Sequence, residues 1–238
     1  MNKFDVFATA IAFQEEEVQG KTVVVIDVLR ACSTIVTALN NGARSIVPVG
    51  DMNTAGQIAM NLDPTSYVMC GERDGEKIEG YHLGNSPYEY TRDVVGGKTL
   101  IFNTTNGTRA ITKCTQAGKV IIGCFLNLKA VINELKSAGG EIILICAGWK
   151  NRISLEDMLC AGAIIHGLTG GRLSLKSTDG AKVAFGLYEK YGKNIPEVVE
   201  TSNHASRLQN LNSTKDVAYC TRLDIFNKAS FFKDGIIT

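Results

Sequence analysis

The sequence has no apolar run that approaches the roughly 18–20 residues needed to span a bilayer, and Asp5 stands where a secretory signal would have its apolar core. It also has no patch of five or more basic residues, and its 25 basic and 24 acidic side chains nearly cancel. Nucleic-acid binding therefore has no electrostatic support. We expect a cytoplasmic protein that binds neither a membrane nor nucleic acid.

Cysteine and histidine pairs of the kind that bind zinc are missing too. The seven cysteines never lie two or three residues apart, which excludes zinc-ribbon and redox-pair spacings. The three histidines, His82, His166 and His204, form no His-x-x-x-His pair, so a zinc hydrolase is not expected. An odd number of cysteines does not suit a complete disulfide framework, and we expect them to be mostly reduced and buried.

The sequence does contain a repeated alternation of short apolar runs and helical patterns. The apolar runs lie at residues 22–26, 45–49, 67–70, 99–102, 120–125 and 141–146, and helical periods lie at residues 33–40, 154–168, 176–191 and 196–209. Runs that are apolar on both faces suit strands covered by helices on both sides and joined by right-handed crossovers. The alternation predicts an α/β fold with a largely parallel or mixed sheet.

Beyond about residue 170 the pattern changes, because Gly170 and Gly171 interrupt it and no strongly apolar strand follows. We expect residues 1–170 to form the α/β core. Residues 171–238 would be a mainly helical C-terminal portion with closing strands near its end, packed on the core as one unit.

Polar residues gather where the apolar runs end, which is where ligands bind in open α/β sheets. Asp27, Arg30, Ser33 and Thr34 follow the first run at the start of a helix, whose free N–H groups attract anions. Arg30 can hold a phosphate through two hydrogen bonds, and Ser33 or Thr34 can donate a hydroxyl. The alternative is local, with Ser33 as a helix N-cap and Asp27 paired with Arg30.

Two of the later segments have an equally simple explanation, and a third does not. Glu72 and Arg73 lie between glycines, and Asn85 and Ser86 lie in a turn; ordinary turn chemistry accounts for both. The segment at residues 103–109 is much denser in donors, which favours an oxyanion site. It lacks the Gly-Lys-Ser/Thr ending of a nucleotide P-loop.

Carboxylates recur at these strand ends. Glu156 and Asp157 begin a predicted helix, where a capping box with Ser154 explains Asp157 but not Glu156. Together with Asp27 and Glu72 they are candidates for a hard cation such as Mg²⁺, which commonly binds one or two carboxylates, waters and a substrate phosphate.

Six motifs, in order, resemble the 2-phosphosulfolactate phosphatase family, known from coenzyme M biosynthesis. They are VIDVLRACST at 25–34, GER at 71–73, LGNSP at 83–87, TTNGT at 104–108, CAG at 146–148 and SLED at 154–157. Weaker matches at His204, Asp216 and Cys220 extend the resemblance over nearly the whole chain. It implies a three-layer α/β/α fold, a homodimer, Mg²⁺ and hydrolysis of (2R)-2-phospho-3-sulfolactate to 3-sulfolactate and phosphate.

On this basis we expect Asp27, Arg30, Glu156 and Asp157 to be catalytic, and Asp27 and Glu72 to bind the metal. The expected substrate-binding residues are Ser33, Thr34, Arg73, Asn85, Ser86, Asn103, Thr104, Thr105, Asn106, Gly107 and Arg109, of which Arg73, Asn85 and Arg109 would hold the sulfonate or carboxylate. The expected nucleophile is a water molecule activated by the metal, with an aspartyl phosphate at Asp27 as the alternative.

Two other functions stay open from the sequence. One is a phosphatase of another small phosphorylated acid, and the other is a protein that binds an anionic metabolite without turnover.

Overall fold

The structure, a computed structural model, describes residues 3–238. Within these residues the strands are β1 (Lys3–Phe7), β2 (Thr22–Ile26), β3 (Ser45–Val49), β4 (Tyr67–Arg73), β5 (Glu76–Lys77), β6 (Thr99–Asn103), β7 (Lys119–Gly123), β8 (Glu141–Cys146), β9 (Ser230–Lys233) and β10 (Ile236–Ile237). The helices are α1 (Ala31–Asn40), α2 (Met52–Met60), α3 (Arg92–Val95), α4 (Gly107–Thr112), α5 (Leu128–Lys136), α6 (Leu155–Thr169), α7 (Asp179–Tyr191), α8 (Ile195–Glu200), α9 (Asn203–Asn210) and α10 (Thr214–Cys220).

All ten strands belong to one mixed sheet in the order β1-β8-β2-β7-β9-β10-β3-β6-β4-β5. The neighbours β1, β8, β2 and β7 are parallel, and so are β3, β6 and β4. The hairpin β9–β10 joins these two groups, because β9 pairs antiparallel with β7 and β10 pairs antiparallel with β3. The closing strands expected near the C-terminus therefore lie in the middle of the sheet.

Helices cover both faces of this sheet, and β2 shows why. Successive side chains of a strand point to opposite faces, so Val23 and Val25 pack in one hydrophobic core with α1, while Val24 and Ile26 pack in another with α6. All four are fully buried. Because β2 has β-branched apolar residues at all four positions, it packs well against the helices on both faces of the sheet. The expected α/β fold is confirmed.

One helix prediction is wrong in its extent. The helical period at residues 196–209 predicts a single helix, whereas the structure has two, α8 and α9. The break lies at Ser202, whose hydroxyl oxygen accepts a hydrogen bond from the backbone N–H of Ala205 at 3.0 Å. A serine that satisfies this N–H is an N-cap, and it starts a new helix within an otherwise continuous apolar period.

The C-terminal portion packs directly on the core. Helix α7 lies against α6 and β1, and one hydrophobic core contains residues of both portions, such as Leu144 and Val217. The boundary at residue 170 stays a prediction.

All seven cysteines are free and buried, as expected, and burial raises the pKa of thiols such as Cys70 to about 12. Within residues 3–238, no helix is both long enough and apolar enough to cross a membrane.

Candidate active site

The carboxyl ends of four strands, β2, β4, β6 and β8, lead into one cavity of about 380 Å³. Helix α9 contributes to its wall from the C-terminal portion. Six residues that the sequence suggested line this cavity, and they are Asp27, Arg30, Glu72, Asn85, Thr105 and Asn106. Since they come from separate segments of the chain, the sheet brings them together by aligning its strand ends.

Asp27 follows β2 directly and is only 7% exposed. Its Oδ1 accepts a hydrogen bond from the backbone N–H of Ala31 at 3.1 Å, whereas Oδ2 accepts none from residues 3–238. Burial raises the pKa of Asp27 to about 6, and the charge of His204 partly opposes this rise. A Cβ on Gly107 would lie 2.6 Å from Oδ2, so a glycine there lets α4 begin beside the carboxylate.

Glu72 ties together two turns at the cavity. Its Oε2 accepts a hydrogen bond from the backbone N–H of Gly75 at 2.6 Å, and its Oε1 accepts one from the backbone N–H of Thr105 at 2.7 Å. The preceding residue, Gly71, has a φ of +151°, and a Cβ there would collide with the carbonyl oxygen of Asn103. Glycine therefore allows β4 and β6 to approach closely enough for Glu72 to reach the second turn.

Arg30 is held by a residue far away in the sequence. Its Nη1 donates to Asp216 Oδ2 at 2.7 Å and its Nη2 donates to the carbonyl oxygen of Gly75 at 2.9 Å. The side chains of Arg30 and Asp216 are 5% and 0% exposed. The alternative in which Arg30 pairs with Asp27 is wrong, because Asp216 on α10 supplies the counter-ion. The guanidinium is thereby fixed at the cavity wall.

Asp157 is not the acid of a capping box. Its Oδ1 accepts a hydrogen bond from the backbone N–H of Val28 at 2.9 Å and its Oδ2 accepts one from the backbone N–H of Gly148 at 3.1 Å. These contacts join the segments that follow β2 and β8. Burial, with the nearby charges of Asp27 and Glu156, raises the pKa of Asp157 well above its usual value.

Glu156 is fully buried and lies beside α9. Its Oε1 is 3.0 Å from Nδ1 of His204, and the His204 ring stacks on Trp149 with 5.4 Å between the ring centroids. Burial opposes ionisation of Glu156, but the hydrogen bond and charge of His204 outweigh it, so the pKa of Glu156 lies below its usual value.

The family model described as 2-phosphosulpholactate phosphatase matches residues 8–235. The chain belongs to this family. Three similar relatives bear the name "Probable 2-phosphosulfolactate phosphatase". The one from Caldanaerobacter subterraneus subsp. tengcongensis is 38% identical over 231 residues, which cover 97% of this chain and 95% of the relative. The one from Clostridium beijerinckii is 37% identical over 236 residues and 99% of each chain. The one from Thermotoga petrophila is 42% identical over 219 residues and 92% of each.

In this member of the 2-phosphosulfolactate phosphatase family, several expected site residues lie outside the cavity lining. Ser33 and Thr34 are fully buried within α1, where their hydroxyls donate to the carbonyl oxygens of Val28 and Asn85 at 2.8 and 2.9 Å. Ser33 is not an N-cap, because α1 begins at Ala31. Their part in substrate binding stays a prediction.

The remaining expected residues of the phosphatase support the turns or point elsewhere. The Thr104 hydroxyl oxygen accepts a hydrogen bond from the backbone N–H of Thr108 at 3.1 Å, which closes the turn after β6. Ser86 donates to Asp216 Oδ1 at 2.7 Å. Arg73 and Arg109 are exposed. Residues outside the cavity lining are Arg73, Ser86, Asn103, Thr104, Gly107, Arg109, Glu156 and Asp157.

Four residues with suitable chemistry line the cavity of the phosphatase without having been expected there: Trp149, Lys150, His204 and Arg207. His204 and Arg207 are three residues apart on α9, so they share a helix face. That spacing was a usable signal, but it gains meaning only once α9 is known to pack over the strand ends.

Proposed function

We propose that this chain is a phosphatase that hydrolyses 2-phospho-3-sulfolactate to 3-sulfolactate and phosphate. The main support is that one cavity combines two carboxylates with three cationic side chains, which are Asp27, Glu72, Arg30, Lys150 and Arg207. In a site that only bound an anion, carboxylates would repel the ligand unless a metal ion were bound beside them. The family and the names of its members support this substrate.

The phosphoryl group binds next to Arg30 and the turn of Thr105 and Asn106. A guanidinium has five N–H donors, and the structure uses one for Asp216 and one for Gly75. The remaining N–H groups of Arg30 can donate hydrogen bonds to phosphoryl oxygens. The fixed positive charge of the guanidinium then stabilises the negative charge of the transition state.

The sulfonate of the substrate binds Arg207, and its carboxylate binds Lys150. Arg207 is half-buried and donates from Nη2 to the carbonyl oxygen of Asp74 at 3.2 Å, while Lys150 is exposed at the mouth of the cavity. These two cations replace Arg73 and Arg109 in our assignment, because both of those arginines are absent from the cavity lining.

The donor set also fits Mg²⁺. Asp27 has a carboxylate oxygen free of hydrogen bonds, and burial with the nearby charges of Glu72 and Glu156 raises its pKa to about 6, as expected of a buried acid short of positive charge. Residues 3–238 contain no cluster of three acidic, histidine or cysteine ligands. We therefore assign Mg²⁺ to Asp27 and Glu72 with water and phosphate oxygens. When bound, the ion would neutralise charge on the phosphoryl group.

A water molecule is the proposed nucleophile, and Asp27 Oδ2 can accept a hydrogen bond from it. Asp157 is not assigned as the base, because it does not line the cavity. The alternative is direct attack by Asp27. Single-turnover quenching followed by mass spectrometry of the intact chain separates the two routes, and a phosphoryl group on Asp27 would refute attack by water.

Phosphate release from a panel of small phosphorylated acids tests the function. We expect 2-phospho-3-sulfolactate to be turned over with the highest kcat/KM, and EDTA to abolish turnover until Mg²⁺ is restored. If ligands raise the Tm while no phosphate is released with Mg²⁺ present, the chain is a binding protein and the proposal is wrong. Preference for another acid would leave the reaction type intact and change the substrate.

The sulfonate assignment has its own test. Arg207→Met should lower kcat/KM about tenfold or more for 2-phospho-3-sulfolactate, since a hydrogen bond to a charged group is lost, and much less for 2-phospholactate, which lacks the sulfonate. Lys182→Met is the control, because Lys182 pairs with Asp179 on the exposed side of α7 and does not line the cavity. Equal losses with both substrates would refute the assignment.

We further propose that the enzyme works in the cytoplasm as a homodimer, acting on a small anionic metabolite and on no nucleic acid. Light scattering of the purified chain would check the dimer.

A further inference from the structure

His204 is held on two sides at the cavity wall. Glu156 lies 3.0 Å from its Nδ1, and the indole of Trp149 stacks on its ring at an interplanar angle of 18°. Its side chain is 16% exposed, and both His204 and Trp149 line the cavity that contains Asp27. These two contacts fix the direction of the free edge of the ring.

Glu156 determines which nitrogen of this ring is engaged within the protein and which is free. It is fully buried, its Oε2 has no hydrogen-bond partner among residues 3–238, and its pKa lies below the usual value despite burial because of the hydrogen bond and charge of His204. A buried carboxylate accepts a hydrogen bond from the Nδ1–H group and holds the ring in one orientation. Nε2, which bonds to no described residue, is then the nitrogen that can exchange a proton with a ligand.

We propose that His204 is the general acid of the phosphatase and that Glu156 is its positioning residue. This inference rests on the proposed function. The leaving group in that reaction is the alkoxide of a secondary alcohol, which is a strong base, so its departure is slow unless the bridging oxygen is protonated. Arg30 does not give up its proton in a protein, whereas an imidazolium does so readily.

The protons of this hydrolysis balance over one turnover. Water forms a bond to phosphorus, the bond from phosphorus to the bridging oxygen breaks, and the Nε2 proton passes to that oxygen to give the alcohol. The product is then dihydrogen phosphate with both protons of the water. One of these protons returns to Nε2 and restores the acid, so phosphate leaves as the dianion.

The test compares two leaving groups. His204→Gln should lower kcat about 10²–10⁴-fold with 2-phospho-3-sulfolactate, with a smaller change in KM. With p-nitrophenyl phosphate, whose phenolate leaves without protonation, the loss should be less than about tenfold. Glu156→Gln should follow the same pattern with a smaller loss, since it removes the carboxylate that orients the ring.

His166→Gln is the matched control, because His166 also pairs with a glutamate, Glu189, but lies outside the cavity; it should retain wild-type kcat. A loss in His204→Gln that is equal for both esters, or no loss at all, would overturn the inference.

A second measurement covers the case in which the wild type does not accept the aryl ester. The wild-type kcat for 2-phospho-3-sulfolactate should be lower in D₂O than in H₂O, because a proton moves from Nε2 to the leaving oxygen in the step. His204→Gln should lose this solvent isotope effect. A solvent isotope effect that is the same in both proteins would refute the role of His204. Failure of the wild type to release phosphate would instead refute the proposed function.

Discussion

Removing the carboxylate of Asp216 leaves the Arg30 guanidinium buried without its counter-ion. Asp216 is fully buried and accepts hydrogen bonds from Arg30 and from Ser86, each at 2.7 Å. Loss of one partner of a buried ion pair destabilises a protein by about 3–5 kcal/mol, because the remaining charge is desolvated without compensation. Ser86 is half-buried and can turn its hydroxyl to water, so it adds little to this figure.

Asp216→Ala should therefore lower the Tm by roughly 6–20 °C, since each kcal/mol corresponds to about 2–4 °C in a domain of this size. Calorimetry and urea unfolding of Asp216→Ala, Arg30→Met and the double variant would measure the effect. The double variant should be less destabilised than the sum of the single variants by about 0.5–3 kcal/mol, because neither charge is then left alone.

The control is Glu134→Ala, which breaks an ion pair with Lys119 at a similar distance, 2.9 Å, but with side chains 40% and 38% exposed. Its effect should be at most about 1 kcal/mol, because water screens an exposed pair. If Asp216→Ala and Glu134→Ala were equally stable, or if the effects of Asp216→Ala and Arg30→Met were additive, the buried pair would not have the energetic role assigned to it.

Two further predictions concern the turns around the site. Glu72→Gln puts an NH₂ group against one of the two backbone N–H groups that the carboxylate binds. The kcat/KM in a phosphate-release assay should therefore fall about tenfold or more. Glu76→Gln, at an exposed position, is the control and should not change kcat/KM; equal values for the two variants would contradict the prediction. Gly107→Ala places a Cβ 2.6 Å from Asp27 Oδ2 and should destabilise by about 1–3 kcal/mol. Gly186→Ala meets nothing within 4 Å and should stabilise by up to about 1 kcal/mol, so calorimetric shifts of the same sign would be inconsistent with this packing.

The strand-end residues were predictable because their signal is local. Asp27, Glu72 and Thr105 each follow a short apolar run. Aligned strand ends bring such residues together in any open parallel sheet, whatever the details of side-chain packing. The resemblance in six ordered motifs then indicated the family, which the match over residues 8–235 shows.

The roles of individual carboxylates were harder to predict from the sequence. A capping box explained Asp157 by its distance from Ser154 in the sequence, yet its two oxygens bind the N–H groups of Val28 and Gly148. An aspartate in the first turn of a helix can either cap that helix or accept hydrogen bonds from the segments that follow two strands. Only the position of β2 relative to α6 distinguishes them.

By itself, the sequence determined the α/β class, the ends of strands that carry polar groups and the family, because these depend on periods and motifs read within short segments. The tertiary structure decided which distant side chains complete the site. Asp216 lies 186 residues after Arg30, and His204 lies 48 residues after Glu156. Contacts of this kind depend on how α9 and α10 pack over the strand ends, and no local pattern specifies the partner of a charge that lies so far along the chain.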